Sequence, residues 1–181
     1  MLRNLKRYFR RCARQAPRFF VARDAATAVE FALIAPIFLA VLIAILETTL
    51  FLFAQQTLQN AATQVGRLFM TGQAQNDSQS ALQTLVCQKY LPSLFNCSSL
   101  IIVVQSYASY AAASTSAPAL YSNGQQVTSF AYSPGGPGQI MVVQLVYPWS
   151  VVGGPLGFTL ANLPNGAAEM MGISAFRVEP Y

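Results

Sequence analysis

The sequence predicts an α+β protein. A long N-terminal membrane helix continues into an amphipathic helix, a second short helix follows, and a small antiparallel β-sheet domain completes the chain. Three observations predict this. Residues 24–54 read DAATAVEFALIAPIFLAVLIAILETTLFLFA, an apolar run of membrane length. Eight of the eleven basic residues precede it: Arg3, Lys6, Arg7, Arg10, Arg11, Arg14, Arg18 and Arg23. Runs rich in Ile, Val and Tyr begin only at about residue 100.

Ala25 to Leu46 contains only Thr27 and Glu30 as polar members. At 1.5 Å per residue this stretch is about 33 Å long, which matches the hydrocarbon core of a bilayer. Lys and Arg flanking a span hold that flank in the cytoplasm. The C-terminal part is therefore expected outside it, in the periplasm, and a secondary contact of the basic cluster with anionic lipid is expected inside. A cleaved secretory signal would have a shorter apolar core ending in a small-residue site, whereas this one runs on into a helix. The expected organisation is a basic cytoplasmic leader (1–24), a transmembrane and amphipathic helix (25–72) and a periplasmic α+β domain (73–181).

Glu30 stands just inside the apolar run, and a charge in the bilayer is costly enough to need a reason. Pro36 lacks an N–H and predicts a mild kink that a membrane helix tolerates. Glu47 ends the most apolar stretch. It lies 17 residues after Glu30, about 260° around the helix, so the two acids do not share a face. An outer-leaflet position and a contact to a partner helix both remain open for Glu47.

Beyond it, Leu50, Phe51, Ala54, Leu58, Ala61, Ala62, Val65, Leu68 and Phe69 follow the i, i+3, i+4, i+7 spacing of an amphipathic helix. Gln55, Gln56, Gln59, Asn60, Thr63 and Gln64 lie opposite. The stripe packs on the protein's own domain or faces other subunits. One helix is expected from about Ala26 to Thr71, with Gly72 as its C-terminal stop. Asn76-Asp77-Ser78 offers an N-cap for a second helix, about Ser78 to Tyr90, with Pro92 just past its end.

Leu100–Tyr107, Gln139–Tyr147 and Met170–Val178 read as strands, and Val127–Tyr132 as a weaker one. Ala111–Ala119, Asn123-Gly124, Ser133–Gly138 and Gly153–Gly157 read as loops or turns. Cys87 and Cys97 are expected to form a disulfide in an oxidising periplasm, while Cys12 stays reduced on the cytoplasmic side.

Function is bounded by what the chain lacks. It is 54% hydrophobic and 9% charged, with mean hydropathy +0.40. The pI near 9.4 does not point to nucleic acid, because the basic residues form one cluster against the membrane segment. There is no histidine, which removes His-based general bases, Ser-His-Asp triads and His-ligated metal sites. Catalytic residues, a metal site, cofactors and a small-molecule substrate are not expected. Residues 73–181 carry only Asp77, Lys89, Glu169, Arg177 and Glu179 as charges, a surface with little to repel a partner.

The stretch RDAATAVEFALIAPIFLAVLIAILE resembles the N-terminus of TadE-like (and related TadG-like) proteins of the tight adherence, or Flp, pilus system. QQTLQNAATQVGRLFMTG, residues 55–72, and the final FRVEPY, residues 176–181, resemble them as well. The resemblance implies a pseudopilin or minor pilin that acts in adhesion-pilus assembly and is processed by a prepilin peptidase on the cytoplasmic side. Counting back from Glu30, it implies cleavage between Ala25 and Ala26, within a processing segment that includes Glu30 and Phe31. The family usually has Gly where this chain has Ala25, the smallest alternative. An uncleaved signal anchor that keeps its basic arm is the other reading of this segment.

The resemblance further implies partners: the inner membrane, other pilin-like subunits and the Tad assembly platform. Glu30 would pair with the new α-amine of a neighbouring subunit and set register, with Pro36 and Glu47 as further assembly residues. A different class remains beside it, an uncleaved membrane-anchored binding or scaffold module, with Tyr107, Tyr110, Tyr121 and Tyr132 as a candidate surface.

Overall fold

The structure is a computed structural model, and it describes residues 23–115, 118, 121–122, 125–127, 130–151, 153 and 157–180. The expected leader lies outside these residues apart from Arg23 and Asp24, as does Cys12. Two compact units are present, one holding the helix up to Leu46 and the other beginning at Glu47.

Helix α1 runs unbroken over Arg23–Met70, with Pro36 inside it. In the first unit, its large apolar side chains between Val29 and Leu46 are exposed, Phe31 at 73% and Leu33 at 70%. The helix ends where the sequence places the stop. Gly72 has φ 76°; its N–H reaches Phe69 O at 3.1 Å and the Gln73 N–H reaches Leu68 O at 2.8 Å. That pair of bonds is a Schellman cap, which needs a residue able to take a positive φ.

In the second unit the amphipathic stripe packs on its own domain. Ala54, Leu58, Ala61, Ala62, Val65 and Phe69 are buried in the core, with Phe51 and Leu68 partly so. Of the stripe's members, Leu50 is left 46% exposed. Ser78 caps α2, Gln79–Leu85, by accepting from the Ala81 N–H. The helix then widens into a π turn over Val86–Tyr90. Cys87 in that turn is joined to Cys97, which opens a 3-10 turn over Cys97–Ser99, with Cα atoms 5.9 Å apart. The bond therefore ties the end of the second helix to the start of the sheet.

Strands β1 (Ile101–Tyr107), β4 (Ile140–Ser150) and β5 (Ala167–Arg177) form an antiparallel sheet in the order β1-β4-β5. The register pairs Ile102 with Leu145 and Leu145 with Gly172. Side chains alternate across a strand, so Ile102, Val104, Met141, Val143, Leu145, Tyr147, Met170 and Phe176 share the face that meets α1. All of them belong to the core. Burying each large side chain of this kind contributes about 1.5–3 kcal/mol.

Strand β4 extends past the expected Tyr147 to Ser150, through Pro148. Pairing with β1 stops at Val146, so the proline stands where no β1 neighbour needs its missing N–H.

Two expectations are corrected. Val127 and Phe130–Tyr132 carry no strand; the Ser133 N–H instead bonds Val104 O at 3.0 Å, on the open side of β1. The polar edge group is satisfied by a single backbone contact without a ladder. Ala111–Ala119, read as a loop, contains helix α3 over Tyr110–Thr115. Its YAAAST sequence is rich in the best helix former, and Ser109 Oγ accepts from the Ala112 N–H at its start. Two-residue strands β2 (Tyr121–Ser122) and β3 (Gln125–Gln126) pair around Asn123-Gly124, which itself lies outside the described residues, as do Gly154–Leu156. Asn-Gly is the preferred two-residue hairpin sequence.

The helix approaches β5 closely because two glycines permit it. A Cβ on Gly172 would stand 2.6 Å from Leu58 O, and one on Gly66 would stand 2.5 Å from Ser174 Oγ. Gly172→Ala is expected to lower stability by about 1–3 kcal/mol, since backbone cannot move aside as a side chain can. Gly136→Ala, with open space around it, should change stability by less than about 0.5 kcal/mol. Urea unfolding of the detergent-held protein followed by circular dichroism reads the difference; equal midpoints would refute the close approach.

Candidate assembly surface

An exposed large aliphatic or aromatic side chain loses the stabilisation that burial would give it. On α1 such side chains continue from Val29 to Phe53, with Leu52 59% and Phe53 60% exposed. A contiguous apolar surface of this size marks a membrane or protein interaction site. The helix is long and apolar enough to cross a membrane.

The expected site residues fall along it. Ala26, Glu30 and Phe31 are exposed, and Ala25 and Ala26 both lie in the first turn of α1. The Ala25–Ala26 bond is therefore helical. Pro36 is exposed and the helix continues through it. Glu30 lies in the first unit and Glu47 opens the second. At Glu47 both carboxylate oxygens are enclosed, and among the described residues neither has a hydrogen-bond partner.

Beyond Phe53 the exposed positions of α1 change chemistry, to Gln56, Asn60, Thr63, Gln64 and Arg67. Two glutamines of the same helix turn toward the sheet. Gln55 donates to Met171 O at 2.8 Å. Gln59 donates to Ile173 O at 2.8 Å and accepts from the Ile173 N–H at 3.0 Å. Its amide thus does for the β5 edge what a neighbouring strand residue would do. At the opposite edge Gln79 donates to Ile102 O at 3.0 Å and Gln83 to Leu100 O at 3.2 Å. Open edges are templates for pairing with other chains, and here amide side chains occupy them. Periodicity marked these glutamines only as a polar face; the i, i+4 spacing of Gln55/Gln59 and of Gln79/Gln83 was the available signal.

The domain shows little that suits chemistry. A cleft of about 310 Å³ beside β1 is lined by Gln79, Gln83, Ser98 and Ser99 over Leu100–Ile102 and Pro148. Its amides are already engaged with backbone carbonyls. Among the described residues no group of three or more His, Cys, Asp or Glu is placed to hold a metal.

The tyrosines named as a candidate recognition surface differ in burial. Tyr107 donates to Gln105 Oε1 at 2.5 Å and the Tyr132 hydroxyl is buried, whereas Tyr110 is 57% exposed. The side chain of Tyr121 lies outside the described residues.

Burial, and secondarily the negative charge of Asp77, raise the pKa of Tyr132 above the ordinary phenol value. In the unfolded chain the phenol ionises near pH 10. Its contribution to stability is therefore complete below that pH and is lost as pH climbs through the raised folded value. Tyr132→Phe should make the decline in urea midpoint between about pH 9.5 and 11 shallower than in the parent; parallel declines would contradict the burial. Gln59→Leu should cost about 1 kcal/mol, and Gln56→Leu, whose amide reaches only Asn60 at 3.5 Å, close to nothing by the same assay.

Residues 25–67 match the TadE-like protein family. No curated protein matches the chain significantly, and no solved structure does.

Proposed function

We propose that this protein is a pilin-like subunit, a minor pilin or pseudopilin, that helps to assemble a Tad/Flp pilus or a related secretion apparatus. One observation carries the reading. The TadE-like match covers residues 25–67, the part of α1 that holds Glu30 and nearly all of the exposed apolar surface. In this reading α1 spans the bacterial inner membrane, with the leader in the cytoplasm and the folded domain in the periplasm. The function is structural and needs no catalytic group, cofactor or nucleic acid.

The mechanism follows from the cost of isolated charge in lipid. A prepilin peptidase cuts between Ala25 and Ala26, a bond in the first helical turn, so that turn unwinds for processing. The new α-amine lies one turn from Glu30 on the same chain. When helices pack side by side, the Glu30 carboxylate of one subunit meets the amine of its neighbour. Pairing offsets much of the desolvation cost, which makes the acid a register device. Glu47, enclosed and without a donor among the described residues, is a second polar group inside the packed region that a neighbouring helix or the assembly platform supplies with a hydrogen bond.

Glu30→Gln removes the charge and keeps the shape. The variant is expected to insert in the membrane at the parent's level and to be lost from assembled pili and from cross-linked complexes with other subunits. Intact-mass analysis should show a chain beginning at Ala26 only when the peptidase is present. Normal piliation by the Glu30→Gln strain would rule out the register role.

A further inference from the structure

The packing of α1 on β5 fixes how far the folded domain extends back along the helix. Met171 lies beside Gln55, Ile173 beside Gln59, Ser174 and Phe176 beside Gly66, and the Glu179 N–H reaches Met70 O. Strand and helix therefore run in the same direction. Gly172 faces Leu58. From Gly172 back to Ala168 is about 13 Å of strand, which equals about nine residues of helix and brings Ala168 level with Thr49. Trp149, the only tryptophan of the chain, pairs with Ala168 and stands at the same level. The connection from β4 to β5 leaves from this end.

That level lies below Leu52 and Phe53, the last exposed apolar residues of α1. Within the second unit, Leu50, Leu52 and Phe53 are 46%, 59% and 60% exposed. Lipid that covers these side chains also reaches the end of the sheet.

The chemistry at that end fits such a position. The described residues of the β4–β5 connection, 151, 153 and 157–166, include no Asp, Glu, Lys or Arg. Phe158 is 37% exposed and Leu94 is 42% exposed. Leu94 belongs to this end because the adjacent Phe95 stacks edge-on against Trp149, with ring centroids 6.1 Å apart. Aromatic rings with an apolar body are the side chains that settle at membrane–water interfaces.

We propose that this end of the folded domain, centred on Leu94, Trp149 and Phe158, is an interfacial membrane anchor seated in the outer headgroup layer. The occupant of the patch is lipid, because the patch continues the apolar surface of α1 at the same level. The domain then rests on the bilayer in a set orientation, with the far end of the sheet and Tyr110 in the aqueous phase. This inference rests on the membrane-spanning reading of α1 given above, and the test separates the two.

The Cys12→Ser chain, with the Cys87–Cys97 disulfide intact, is given one added cysteine, carries an environment-sensitive fluorophore there, and is reconstituted in phosphatidylethanolamine–phosphatidylglycerol vesicles. Phe158→Cys probes the anchor, Ile43→Cys the span and Tyr110→Cys the far end. Nitroxide lipids with the spin label near the headgroup should quench the Phe158→Cys probe at least twofold, and deep labels should quench it less. The Ile43→Cys probe should respond most to the deep label, and the Tyr110→Cys probe to neither. If the Phe158→Cys probe behaves like the Tyr110→Cys probe while the Ile43→Cys probe is quenched, the anchor is wrong and the span stands. Protection of the Phe158→Cys probe only at high protein density would assign the patch to a neighbouring copy and overturn the anchor equally. Should the Ile43→Cys probe also escape quenching, the membrane-spanning reading falls, and the anchor with it.

Discussion

The approach of α1 to β5 at Gly172 and Gly66 is the contact on which the rest of the domain depends. A Cβ at either position would collide with its neighbour, so the separation is set by the absence of side chains. With the helix this close, Leu58 and Val65 reach full burial and Gln55 and Gln59 come within hydrogen-bond range of the β5 backbone. The same contact fixes which residue of the helix is level with which residue of the sheet. A wider spacing would leave the glutamines short of the strand and the core less filled, at a cost in contacts that close packing otherwise supplies.

Closure of both sheet edges by amide side chains has a consequence for assembly. The edge strands carry few of the usual guards against edge-to-edge association: β1 has no charged residue and β5 has only Glu169 and Arg177. Glutamine satisfies the backbone without adding charge, so the surface stays compatible with close neighbours while strand addition is disfavoured. The exposed apolar length of α1 is where the TadE-like match lies.

One helix therefore meets two environments. Between Val29 and Leu46, and at Leu50, Leu52 and Phe53, its large side chains are exposed; Phe51 and, from Ala54, the apolar stripe pack inward on the core. The Schellman cap at Gly72 ends it once the core is filled. The disulfide between Cys87 and Cys97 adds a covalent tie at the corner where α2 gives way to β1. It removes about 2–4 kcal/mol of freedom from the unfolded chain in the entropic account.

Features that depend on local pattern can be read from the amino-acid order alone. The apolar run, the amphipathic stripe, the cap at Ser78, the stop at Gly72 and three strands of the sheet were legible because hydrophobic periodicity and capping chemistry act over a few residues. The site residues were legible as far as charge in an apolar run can be read, which singled out Glu30 and Glu47. Two locally ambiguous stretches differ from expectation: Ala111–Thr115 is helical where a loop is expected, and Val127 and Phe130–Tyr132 carry no strand. Strand order, the partner of the buried stripe, the glutamines bonded to the edge strands and the enclosure of the Glu47 carboxylate follow from long-range packing. It also decided that the end of β4 lies level with the last exposed apolar turn of α1. Each of these is a relation between residues up to about 116 positions apart in the chain, set by packing that no local pattern encodes.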